Sequence, residues 1–258
     1  MTGRRYVAIG DSFTEGLGDP GADGRDRGWA DRLAQRLAGQ HPDFTYANLA
    51  VRGRTVPEIV AEQVPAAVAL RPHLVSFAGG INDALRRDWD LVTMTQSLQR
   101  GIATLAQTGA QIVIVTYGRP SRRSRFMAVV EGRLQQYREV TYEVAAEYGA
   151  IVVDFWDVTV FDDPRFWSDD RLHLNPLGHE RVSMAVLEAL GVSAANWHEP
   201  LPRVPAPAPW AHVADDLSWF GRHFAPWIVR KVRGRSSGEG ITAKRPQCSP
   251  VVAPSEPV

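Results

Sequence analysis

Short apolar runs alternate with longer amphipathic stretches from about Tyr6 to about Gly191. Tyr6-Val7-Ala8-Ile9 is an uninterrupted apolar run that stops at Gly10, and similar runs recur at Phe44 to Ala50, His73 to Ala78, Gln111 to Thr116 and Ala150 to Phe155. Their length and their bounding turn residues predict buried strands. Between them, apolar positions fall at helical spacing. Trp29, Leu33 and Leu37 predict a helix closed by Gly39, and Ile59, Val60, Val64, Val68 and Leu70 predict one over Pro57 to Leu70 with a kink at Pro65. Further helices are expected over Leu91 to Gln107, Phe126 to Tyr148 and Pro176 to Leu190, each followed by a glycine. Five strands alternating with helices predict an α/β fold, with parallel pairing through right-handed crossovers and helices on both faces of the sheet.

The texture changes after about Trp197. Residues 1–197 read as one α/β domain, and residues 198–209 as a proline-rich, extended linker. Residues 210–234 read as a helical appendage. Val213, Leu217, Phe220 and Phe224 share one stripe there, and Pro226 opens a second short helix with a basic end; the expectation is that it docks back on the domain by its aromatic side. The Ser/Gly/Pro-rich residues 235–258 are expected to be disordered.

Charge and cysteine content narrow the function classes. The 258 residues carry 29 basic and 29 acidic side chains, so no global field draws the chain to nucleic acid or an anionic membrane. The single cysteine, Cys248, rules out an internal disulfide. The first strand begins by about Tyr6, leaving no space for a signal peptide, and no run of about 18 apolar residues suggests a membrane span. These features predict a cytoplasmic protein with a small-molecule substrate.

Candidate chemistry collects where strands end. Ser12, in Gly10-Asp11-Ser12-Phe13-Thr14-Glu15-Gly16, follows the first strand on a tight turn and is a candidate nucleophile. Gly53 follows the second strand and Asn82 the third. A backbone N–H unobstructed by a side chain and a neutral amide are both suited to holding an oxyanion. After the fifth strand, Asp170 and His173 stand three apart, so one tight turn brings the carboxylate to the imidazole and leaves Nε2 as a base. Asp169 is the nearest rival for that orienting role. If the strand order is 2-1-3-4-5, as in a flavodoxin-like sheet, these segments meet at the switch point where ligands bind. Asp19, Asp23 and Asp26 lack calcium-loop spacing and read as solvated turn residues; His179 reads as a helix-surface or capping residue, and Asp154 as a hydrogen-bonding group at the sheet edge.

Taken in order, Gly10-Asp11-Ser12-Phe13, Gly53, Gly80-Ile81-Asn82-Asp83 and Asp170-Arg171-Leu172-His173 resemble the blocks of the SGNH hydrolases of GDSL lipase/esterase type. The resemblance spans roughly residues 5 to 190. It implies a three-layer α/β/α fold, Ser12 as nucleophile, His173 as base, Asp170 as its orienter, and an oxyanion hole from Ser12, Gly53 and Asn82. No cofactor or metal is implied. The Gly-x-Ser-x-Gly elbow of the α/β-hydrolases is missing, because position 14 is Thr. The expected activity is ester hydrolysis. The alternatives are an acyltransferase or deacetylase acting on a sugar or other alcohol ester, and a non-catalytic binding protein of the same fold. Trp29 and Trp167 are candidates for an aromatic pocket rim.

Overall fold

The computed structural model describes residues 4–21, 24–41, 43–123, 127–192, 196–203 and 238–252. Strand β1 (Arg5–Gly10) lies inside the sheet because both its faces are apolar: Tyr6 and Ala8 enter one layer, Val7 and Ile9 the other, and all four are fully buried. β1 pairs in parallel with β2 (Thr45–Asn48) and β3 (Leu74–Ala78); β4 (Gln111–Val115) and β5 (Ile151–Val153) extend the sheet beyond β3. The order 2-1-3-4-5 stands.

Helices cover both faces. α2 (Gly28–Ala38) and α9 (Pro176–Ala189) cover one, burying Trp29, Leu33 and Val186 against Tyr6, Ala8 and Val113. α3 (Val56–Glu58), α4 (Val64–Ala69), α6 (Leu91–Ala106) and α8 (Glu131–Tyr148) cover the other, with Ile59, Leu98 and Val144 against Val7, Ile9 and Phe77. Single turns α1 (Ser12–Glu15), α5 (Ile81–Ala84) and α7 (Pro120–Arg123) follow β1, β3 and β4. Among the described residues no helix is long and apolar enough to cross a membrane.

Several expectations need correction. The kinked helix over Pro57 to Leu70 is three pieces: α3, a π-helical turn at Ile59–Gln63, and α4 with Pro65 in its first turn. Proline can offer no N–H to a helical carbonyl, and the wider turn absorbs that loss. It also turns Gln63 toward β1, where its amide donates to Gly10 O at 2.9 Å and accepts from Gly10 N at 2.8 Å. α8 begins at Glu131, after a short 3-10 turn at Met127–Val130, rather than at Phe126, which lies outside the described residues. The appendage expected over 210–234 also lies outside them, as does the linker beyond Arg203.

The larger correction concerns the expected disordered tail. Residues 238–252 are ordered, and Arg245–Pro250 forms a sixth strand, β6, antiparallel to β2 at the sheet edge. Ahead of that strand, the Lys244 ammonium donates to Glu15 O, Asp26 O and Arg27 O at 2.6–2.8 Å and pairs with Asp31 at 2.7 Å. Burial alone raises the pKa of the Asp31 carboxyl, and Lys244 is the cation that opposes it. Lys244→Met is expected to lower unfolding free energy by about 3 kcal/mol by leaving Asp31 without its cation. Chemical denaturation measures this, and in a double-mutant cycle adding Asp31→Asn should recover part of the loss.

Candidate active site

The turn that presents Ser12 is built by its neighbours. Gly10 has φ +153°, and a Cβ there would lie 2.3 Å from Ala78 O, so β1 and β3 approach each other where only glycine fits. Asp11 caps α1: its Oδ1 accepts from Phe13 N at 3.1 Å. The Phe13 ring sits 5.8 Å from both Trp29 and Tyr117, which fixes the turn sideways.

The Ser12 hydroxyl lies 3.1 Å from His173 Nε2, and the His173 Nδ1 lies 2.6 Å from Asp170 Oδ2. The loop that delivers them is tightly cross-braced. Trp167 and Leu174 bridge in antiparallel fashion, Ser168 N donates to His173 O, and Arg171 takes the left-handed φ of +53° that closes the turn. Asp170 Oδ1 accepts from Leu172 N, His173 N and the Ser168 hydroxyl, so Oδ2 is left to the imidazole. Burial works against the charged form of Asp170, but the hydrogen bond and charge of His173, helped by the other donors, hold its carboxyl well below the usual range. Asp169, the rival, is exposed to solvent.

Gly53 occupies the left-handed region at φ +79° on the loop leaving β2. That loop is pinned to α1, since Arg52 N donates to Glu15 Oε2 at 2.6 Å and Arg52 Nε to Glu15 Oε1 at 2.9 Å. Neither Ser12 N nor Gly53 N donates to an acceptor among the described residues. The Asn82 amide donates to Asp11 Oδ2 and Arg54 O, both at 3.1 Å. Tyr117, leaving β4, donates its hydroxyl to the same Asp11 oxygen at 3.3 Å. Burial pushes Asp11 up to about 6, against the hydrogen bonds it receives and the charge of His173. It pushes the neighbouring Asp83 up to about 7, although both oxygens accept from Val56 N.

All five expected site residues line one cavity of about 720 Å³, among apolar side chains such as Phe13, Leu134, Phe161 and Trp167. Trp29 is fully buried and supports Phe13 instead of forming a rim. His179 is also fully buried, not on a helix surface: Nδ1 accepts from Trp29 N and Nε2 donates to Leu17 O. Asp19 is buried and held by Arg32, Arg27 and Gly28 N, so it is not a solvated turn residue; Asp23 lies outside the described residues. Asp154 binds Thr116, Arg138 and Tyr142 beyond β5. Sequence reasoning missed the carboxylate of Asp11 and the hydroxyl of Tyr117. Tyr117 was open to discovery by the rule that located the others, because it follows a strand at the same sheet edge.

A family profile described as the GDSL-like Lipase/Acylhydrolase family matches residues 8–181. No curated protein matches by sequence. Solved structures with the same fold include Axe2, an acetylxylan esterase from Geobacillus stearothermophilus, at 21% identity and TM-score 0.62, covering 76% of this chain and 96% of that one. The lipase/acylhydrolase from Enterococcus faecalis is 20% identical with TM-score 0.58, covering 75% and 99%. LAE5, an alpha/beta hydrolase enzyme from the metagenome of Lake Arreo, Spain, is 24% identical with TM-score 0.60, covering 73% and 95%.

Burial also holds the His179 imidazole down, from 6.5 to about 4, against the hydrogen bond to Leu17 and the charge of Asp19. A depressed imidazole means that the unfolded chain binds the extra proton first. Stability is therefore complete above 6.5 and falls as pH drops toward 4. His179→Gln should flatten that fall when denaturation is followed across the window, while the opposing contributions of Asp11 and Asp83 are common to both proteins and cancel.

Proposed function

The chain belongs to the GDSL-like lipase/acylhydrolase family, and from that premise we propose that it hydrolyses carboxylic esters through an acyl-enzyme formed on Ser12. The observation that carries the proposal is the chain of contacts from Asp170 through His173 to Ser12, at 2.6 and 3.1 Å, inside one cavity. His173 Nδ1–H donates to Asp170, which fixes the tautomer and leaves the Nε2 lone pair facing the Ser12 hydroxyl. As Ser12 Oγ attacks the ester carbonyl, its proton passes to Nε2. The imidazolium then protonates the departing alcohol, and the same nitrogen activates the water that releases the acid.

Negative charge develops on the carbonyl oxygen during both steps. The N–H groups of Ser12 and Gly53 are the donors with no acceptor of their own among the described residues, which suits them to receive it. Asn82 adds a third donor by sharing an amide hydrogen now directed at Asp11 or Arg54 O. Because the buried Asp11 carboxyl accepts from that amide, it aligns it before substrate arrives.

Ser12→Ala and His173→Ala are expected to lower kcat by about 10⁵- to 10⁶-fold on a p-nitrophenyl ester, and Asp170→Asn by about 10⁴-fold. Asn82→Ala is expected to cost about 10²- to 10³-fold, mostly in kcat. A fluorophosphonate should label the wild type at Ser12 alone. Full turnover by Ser12→Ala would overturn the assignment.

A further inference from the structure

Among the described residues, one cation in the cavity has no counter-ion within ion-pair distance. Arg123, at the end of α7, lines the same cavity as Ser12 and His173. Its Nη2 donates to Arg171 O, its guanidinium lies over the Trp167 ring, and its Nε is buried with no acceptor among the described residues. Among the described residues no carboxylate comes within ion-pair distance of it. Asp170 and Asp162 are the acids whose charge it feels, but Asp170 is committed to His173, and Asp162 is exposed and nearer to Arg122. The neighbouring cavity cations differ, since Arg52 is paired with Glu15 and Arg119 with Asp157. Burial pushes Arg123 down to about 9, so it remains charged at neutral pH. A guanidinium carries five N–H donors in a plane, and among the described residues one of them finds an acceptor.

A half-buried, under-bonded charge is costly to keep unless something supplies the missing acceptors. We propose that Arg123 is the specificity-determining residue of an anion subsite, and that the preferred ester bears a carboxylate that takes its free N–H groups in fork geometry. The inference rests on Ser12 being the esterolytic centre and names the substrate class of that site. The bond to Arg171 O places the subsite against the loop that carries Asp170 and His173, so an anion held there is one loop away from the reacting ester. A purely structural role, bracing Arg171 and Trp167, would affect all esters alike.

The test compares matched esters. On the acyl side, p-nitrophenyl hemiglutarate is set against p-nitrophenyl pentanoate; on the alcohol side, para-acetoxybenzoate is set against para-acetoxybenzamide. Wild type should favour the carboxylate in one of the two pairs by about tenfold or more in kcat/KM, the pair identifying the side on which the anion sits. Arg123→Gln should collapse that ratio toward unity, and Arg123→Lys should keep part of it. The ratio is the readout, so any loss common to both esters cancels. A wild type with no preference in either pair, or an Arg123→Gln variant whose ratio is unchanged, would overturn the subsite. If none of the four esters turned over, ester hydrolysis would be what failed; calorimetric binding of glutarate and para-hydroxybenzoate would then decide the subsite, requiring affinity in wild type that Arg123→Gln lacks.

Discussion

A single buried carboxylate holds the catalytic end of the sheet together. Asp11 takes the Phe13 N–H on one oxygen, and the Asn82 amide and Tyr117 hydroxyl on the other. The segments leaving β1, β3 and β4 therefore share one acceptor. An unsolvated carboxylate is tolerated only where donors converge on it, so the donors are as constrained as the acid. The side chain that shapes the Ser12 turn thereby also sets the position of the Asn82 amide. Glu15 does the corresponding service for β2, gripping Arg52 beside Gly53 from the far end of α1.

This arrangement explains why the site sits where the strand order reverses. β1 has β2 on one side and β3 on the other; the chain leaving β1 runs to α2 on one face of the sheet, whereas the chain leaving β3 runs to α6 on the opposite face, and a crevice opens over Ser12. The Asp170–His173 loop then has only to cross the mouth of that crevice. Its bracing comes from its own backbone, from Ser168, and from Asn175, whose side chain both caps α9 and donates to Arg165 O and Trp167 O. Gln63 completes the floor by satisfying both backbone groups of Gly10, where the close approach of β3 leaves room for nothing bulkier.

Much of this was legible in the chain because each element carries its own local chemistry. The strands announced themselves by apolar runs, and Ser12, Gly53, Asn82, Asp170 and His173 stood at strand exits. What escaped was whatever depends on burial that no local pattern signals. His179 looks like any polar residue on a helix, yet the face it occupies turns toward α2. Asp11, Asp19 and Asp83 look like turn acids, yet they are enclosed. β6 was invisible because Arg245-Pro246-Gln247-Cys248-Ser249-Pro250 has no alternating apolar pattern; it is held by main-chain pairing at an edge, where proline is tolerated. One signal was available: Lys231 and Lys244 are the two lysines among 29 basic residues, and the Lys244 side chain is mostly enclosed.

The placement of β6 has a consequence for biogenesis. The groups that seat Lys244, from Glu15 to Asp31, are made early, whereas the lysine and its strand emerge only after the other five strands have left the ribosome. Until then β2 presents an open hydrogen-bonding edge, and Asp31 waits without its cation. The border of the sheet at β2 is thus closed by residues made about 200 positions after it, so the pairing that covers it is the longest-range one in the sheet.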